Sequence, residues 1–140
     1  MANSFQCDIV SVETAIFSGK VSQVVATGIE GELGIRAGHE PLLTLLAPGP
    51  VQVTREGGQE EVFYVSGGFL EIQPDMVSIL ADTAARARDL DEAAAQHVRD
   101  EAQRAIGNKK AELDYSSALA DIAEANARLR TLNELKRRKS

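Results

Sequence analysis

The chain has little with which to do chemistry. Its 140 residues include one cysteine, Cys7, and two histidines, His39 and His97. A single thiol excludes an internal disulfide and fits a reducing compartment. Cys7 stands in the alternating segment Phe5-Cys7-Ile9, where a thiol reads as a small buried hydrophobe rather than a nucleophile. The two histidines stand apart, one in a loop bounded by glycine and proline and one on a charged helix, so no metal site is expected. With no convergent acid, base and nucleophile, no residue is assigned a catalytic role. No cofactor is expected.

Long apolar runs are missing as well. The longest, Leu42 to Pro48, is interrupted by Thr44 and falls far short of the roughly 18 to 20 residues that cross a bilayer. Residues 1 to 6 have neither the basic nor the apolar region of a secretory signal. The expectation is a cytosolic chain that a membrane complex could hold from one side.

What is present is divided unevenly. Hydrophobic residues make up 44% and charged residues 26%, the composition of a folded globular chain. All four prolines and ten of the eleven glycines precede residue 76, while fourteen of the twenty alanines lie from Ala84 onward. This places a boundary near residues 84 to 89, giving a domain of 1–85 and another of 86–140. Charge divides at the same place. Residues 1–84 hold Lys20, Arg36 and Arg55 against eleven acids, for −8, and residues 85–140 hold twelve basic side chains against ten acids, for +2. From residue 128 on, Arg128, Arg130, Lys136, Arg137, Arg138 and Lys139 oppose only Glu134.

In the first part, Phe5 to Ile9, Val21 to Val25, Val51 to Val53, Val62 to Val65, Phe69 to Ile72 and Val77 to Leu80 read as strands. Pro48-Gly49-Pro50, Glu56-Gly57-Gly58, Gly67-Gly68 and Gln73-Pro74-Asp75 separate them as turns, at the spacing of an antiparallel sandwich or barrel. The second part changes period. Asp89 and Glu92 form a capping-box pattern, followed by Leu90, Ala94, Val98, Ala102 and Ala105 at helical spacing, with Gly107-Asn108 as a stop. A second helix is predicted from about Asp114 toward Lys136, with Leu119, Ile122, Asn126, Leu129 and Leu132 along one face. These narrow, alanine-rich faces bury little surface, so the hairpin reads as a docking or switching element; rigid packing on the β domain is the alternative.

Two segments could meet partners. Gly28-Ile29-Glu30-Gly31-Glu32-Leu33-Gly34 lacks the Lys-Ser/Thr ending of a phosphate loop, and its two carboxylates would repel phosphate. It reads either as a tight solvated turn or as a contact loop whose three glycines allow positive φ. The basic tail has no aromatic side chain among its charges and follows an acidic body, so an acidic protein surface suits it better than nucleic acid; a solvated helix end is the alternative.

Five ordered segments resemble the epsilon subunit of bacterial F-type ATP synthases over nearly the whole chain. They are Val10-Ser11-Val12-Glu13 with Ile16-Phe17-Ser18-Gly19, then Gly31 to Ile35, Gly38-His39-Glu40-Pro41-Leu42-Leu43-Thr44, Ser66 to Glu71, and Leu80-Ala81-Asp82-Thr83-Ala84. The resemblance implies an α+β chain: an N-terminal antiparallel β-sandwich of about ten strands, then a C-terminal helical hairpin. It implies a non-catalytic rotor subunit in the central stalk, peripheral on the cytoplasmic face of the bacterial inner membrane. The implied partners are the gamma subunit, the c-ring, and the alpha and beta subunits. Carried over by position, the c-ring contact is Gly28, Glu30, Gly31, Glu32, Leu33 and Gly34, with Glu32 foremost, and Ser11, His39 and Thr44 lie toward gamma. The basic tail is implied to restrain ATP hydrolysis. Some relatives bind ATP through an apolar-Asp-x-x-Arg-Ala motif; here the segment is Leu90-Asp91-Glu92-Ala93-Ala94-Ala95, without the arginine. Asp91 with Arg99 leaves only a weak ATP site, which argues against a nucleotide sensor as the main function.

Overall fold

The computed structural model describes residues 4–107 and 112–139. Nine strands come first: β1 (Phe5–Ser11), β2 (Ala15–Gly28), β3 (Gly31–Arg36), β4 (Leu42–Leu46), β5 (Gly49–Arg55), β6 (Glu60–Val65), β7 (Gly68–Gln73), β8 (Met76–Ala81) and β9 (Ala84–Arg86). A 3-10 turn (Ala87–Asp89) leads to α1 (Glu92–Gly107) and α2 (Glu112–Lys139). All six strand segments read from the sequence lie in strands, and β3, β4 and β9 are added. The resemblance implied about ten strands; among the described residues there are nine. Most pairings are antiparallel, but β1 runs parallel to β8, with Cys7 opposite Val77 and Ile9 opposite Ile79.

The strand order is β1-β8-β7-β4-β2-β5-β6-β9, with β3 beside β2 and β1 also paired to β2. Long β2 is the link between the layers. Its first half pairs with β1 and its second with β3 and β5. The register against β5 shifts between Val21 and Gln23, which moves the inward set from Phe17 and Val21 to Val24 and Ala26. One extra residue of this kind sharpens strand twist, so a single strand can serve both layers.

The sandwich core is made of large side chains. Phe5, Ile9, Val24, Val53, Phe63, Leu70, Ile72 and Ile79 are almost wholly shielded from water. Arg55 and Arg86 close one end, both bound to Glu61 at 2.9 and 3.1 Å. Their guanidinium groups lie over the rings of Phe17 and Phe63, which meet edge to face at 5.5 Å.

The hairpin core is made of small ones. Ala95 and Ala102 of α1 face Ala118, Ala125 and Leu132 of α2, all buried, with Ile122 and Leu129 partly so. Ala102, Ile122, Leu129 and Leu132 lie on the face expected from the sequence, but Ala94, Val98 and Leu119 are exposed, and the neighbouring Ala95 and Ala118 are buried instead. The run Ala93-Ala94-Ala95 carries no size contrast to set the phase. The cap differs too. Asp89 ends the 3-10 turn, and it is the Asp91 carboxylate that accepts from the Ala94 N–H at 3.1 Å. Ala105 and the Gly107-Asn108 stop lie outside the residues whose side chains are described.

Helix α2 has a second contact face. Ala127 and Thr131 are completely buried, and the Thr131 hydroxyl donates back to the Ala127 carbonyl at 2.8 Å. They lie on the outer face of β5 and β6, where Val62 and Tyr64 are buried although they stand outside the sandwich core. Gln52 donates to Glu134 at 2.8 Å and Arg130 to the Pro48 carbonyl at 3.1 Å. The hairpin thus lies against the sheet.

Candidate functional site

The segment 28–34 is a tight hairpin, not an open loop. Gly28 pairs with Gly31, leaving Ile29-Glu30 as the two-residue turn. Of the three glycines, only Gly31 takes a positive φ, 135°. Gly28 is needed for space, since a side chain there would press on the Gly31 carbonyl at 2.9 Å. Gly34 meets no such limit. Glu32 and Leu33 belong to β3, opposite Thr27 and Ala26, because burial of Ile35 fixes the strand's register. Ile29, Glu30, Gly31, Glu32 and Gly34 are exposed and Leu33 half-buried. Both carboxylates therefore project from one corner.

That corner adjoins β4. The Ile29 N–H donates to the Leu45 carbonyl at 3.2 Å, and Gly28 pairs with Leu46. From β4 an apolar row runs across the outer face of the sheet: Leu45 stands opposite Phe69, Phe69 opposite Leu80, and Leu80 opposite Val10. Leu43, Leu45, Phe69 and Leu80 are 66%, 44%, 51% and 58% exposed. Large side chains lined up this way over three adjacent strands have the form of a protein-binding patch.

The residues read as facing gamma border this patch unevenly. Ser11 ends β1, where its hydroxyl and backbone clasp Thr14 and hold up the 87% exposed Val12. Thr44 is half-buried between the outward Leu43 and Leu45, so it points to the opposite side of β4 from them. His39 is exposed in the loop before β4, its ring nitrogen 2.9 Å from the Glu40 carbonyl. The patch itself was missed in the sequence. Its available signal was Leu42-Leu43-Thr44-Leu45-Leu46, a strand with no polar alternation.

The basic tail is engaged within the chain. Arg128 pairs with Glu124 at 3.0 Å and lies over the Tyr64 ring, 5.0 Å from its centre. Lys136 reaches Glu92 of α1 at 2.8 Å, and Arg137 reaches Glu134 at 2.8 Å. The side chains of Arg138 and Lys139 lie outside the described part. Burial first, and the Glu124 charge second, raise the Tyr64 phenol above its ordinary pKa, with Arg128 opposing.

Asp91 and Arg99 are not brought together as a phosphate site. The Asp91 carboxylate caps α1, Arg99 pairs with Asp100 at 3.4 Å, and eight residues of helix separate them by about 12 Å. The groove between the helices is lined by Ala94, Val98, Ala125 and Arg128, with Asp121 and Glu124 at its rim. Such a rim repels phosphate. Cys7 is fully buried, and burial, with Asp8 adding, pushes its thiol up to about 12. Among the described residues no three His, Cys, Asp or Glu side chains are grouped to hold a metal, and no helix is long and apolar enough to cross a membrane.

Residues 4–87 match the ATP synthase delta/epsilon chain beta-sandwich domain. The chain belongs to this family. It is 63% identical over 137 residues to an ATP synthase epsilon chain of Chromohalobacter salexigens, covering 98% of this chain and 97% of that one. The fold superimposes on a chain in a cryo-EM structure of the Euglena gracilis mitochondrial ATP synthase with a TM-score of 0.76 at 22% identity, covering 100% of this chain and 84% of that one. A chain from the central stalk and c-ring of the Tetrahymena thermophila mitochondrial ATP synthase gives 0.61 at 16% identity, with coverage of 91% and 96%. For this family, the two-layer sandwich followed by paired helices is the arrangement the motifs implied.

Proposed function

We propose that this chain is the non-catalytic rotor subunit of an F-type ATP synthase, linking a gamma subunit to the c-ring and restraining ATP hydrolysis through its C-terminal helices. The observation that carries the reading is the exposed row Leu43, Leu45, Phe69 and Leu80, continuous with the Ile29-Glu30 corner. An apolar patch beside an acidic tip suits two neighbours at once: a permanent partner on the sheet face and polar loops at the corner. Ser11, with Val12, borders the gamma-facing side, and Glu30 and Glu32 meet the ring. The chain then sits peripherally on the cytoplasmic face of the bacterial inner membrane. The Chromohalobacter relative is an epsilon chain, and both superimposed chains come from ATP synthases. ATP is bound weakly or not at all, because the Asp91 carboxylate caps α1 and Arg99 is paired with Asp100.

The test replaces Phe69 or Leu45 by Asp. Both are exposed, so the melting temperature of the chain should hardly change, whereas binding to gamma should fall at least thirtyfold, as for a loss of about 2 kcal/mol or more at an interface centre. Unaltered binding by both variants would remove the stripe from the gamma interface.

A further inference from the structure

The outer face of β4, β7, β8 and β1 carries a second row beside the apolar one. Two residues along each strand from Leu45, Phe69, Leu80 and Val10, the pairing lines up Leu43, Glu71, Ser78 and Asp8. Glu71, Ser78 and Asp8 point outward, since their neighbours Ile72, Val77 and Cys7 turn into the core. Both carboxylates are braced by neutral groups: Ser18 and Gln6 each donate to Asp8 at 2.8 Å, and Gln73 donates to Glu71 at 3.4 Å. Among the described residues neither has an ion-pair partner; the bridged arginines of this domain, Arg55 and Arg86, are held by Glu61. Lys20 shares the face but stands opposite Gln6, one step beyond Asp8.

In the free chain water solvates these carboxylates at no cost. A partner lying on the apolar row would strip that water from one side, which is expensive unless the partner brings opposite charge. A second copy of this chain is a poor occupant, because residues 1–84 carry −8 and would set acid against acid. We infer that the gamma segment covering this face bears lysine or arginine beside its apolar side chains, placed to meet Glu71 and Asp8. Two strand spacings separate these residues, about 9.5 Å. Positions i and i+7 on one face of a helix are about 10.5 Å apart. The segment that fits is therefore a helix laid across the strands, with an apolar stripe on Leu45, Phe69 and Leu80 and a basic pair at i and i+7 on one flank. The inference rests on the gamma reading above, and the basic flank is what it adds.

The test follows association of the full chain with an ATP synthase complex assembled without it, at low and at high salt. Asp8→Asn with Glu71→Gln removes both charges and keeps their shape, and the asparagine oxygen can still accept from Ser18 and Gln6. Association at low salt should slow roughly tenfold and lose most of its salt dependence, while dissociation changes less. Glu71→Gln alone, at an exposed position, should slow it about threefold and covers the case in which Asp8 is needed for folding. Phe69→Asp, which breaks the apolar row, separates this inference from the reading beneath it. If Phe69→Asp weakens binding but the neutralised chains associate at the original rate with the original salt response, gamma still takes this face and the basic flank is overturned. If none of the variants alters binding, the face is not gamma's and both fall.

Discussion

The sandwich and the hairpin are stabilised in different ways. Between the sheets lie Phe5, Ile9, Phe63, Leu70 and Ile79, side chains each contributing about 1.5–3 kcal/mol when fully buried. Between the helices lie Ala95, Ala102, Ala118 and Ala125, which bury a methyl group apiece. The first region has a core of its own; the second leans on the first through Tyr64, Gln52 and the Pro48 carbonyl. The contrast separates a region held by large apolar side chains from one attached by a small apolar seam and a few specific polar ties.

The sharpest way to break this comparison is to remove a large core side chain and a small one. Phe63→Ala should lower the stability of the β domain by about 3–5 kcal/mol in urea unfolding. Ala125→Gly should cost about 1 kcal/mol and act on the hairpin alone, read as faster exchange in α2. Equal costs would mean that the two regions form one cooperative core. Alkali sharpens the same contrast. Cys7 has a thiol raised from 9.0 to about 12 in the fold, so the neutral form is favoured there. Its stabilising contribution is fully present below pH 9 and is lost as pH rises toward 12, by at most about 1.4 kcal/mol per pH unit. Cys7→Ala should flatten that loss in alkaline denaturation of the β domain, and an unchanged profile would assign it to other groups.

The smallest expected change in folding comes from Glu32→Lys. The side chain is exposed on β3, so melting should stay within a degree or two, since surface substitutions are usually within about 0.5 kcal/mol. Proton pumping by the assembled complex should nevertheless weaken. Pumping at the original level would take Glu32 off the contact surface.

Much of this architecture was legible because period-2 segments and turn residues agree. What escaped did so for physical reasons. On the helix faces Ala94, Val98 and Leu119 were misplaced, while Ala102, Ile122, Leu129 and Leu132 were not, because consecutive alanines, and leucines such as Leu119 beside Ala118, do not report which side is buried. Asp89 and Asp91 are equally good caps, and only the 3-10 turn chooses between them. Within the corner hairpin, Glu32 and Gly34 are poor strand residues that pairing with β2 overrides. The apolar row on β4, β7 and β8 was hidden because a leucine-rich run suggests burial, not exposure. Docking of α2, in contrast, had left a trace: Val62-Phe63-Tyr64-Val65 is apolar on both sides of its strand, which requires a cover on the outer face.

The most direct test of the division into a self-sufficient sandwich and a releasable hairpin compares ATP hydrolysis by the complex assembled with the full chain and with a chain ending at Arg88. The shortened chain should stay folded by circular dichroism, still bind gamma and raise hydrolysis, and moderate salt should narrow the gap because exposed charges are screened over about 8–10 Å. Hydrolysis identical with and without the hairpin, or a shortened chain that no longer folds, would contradict the account.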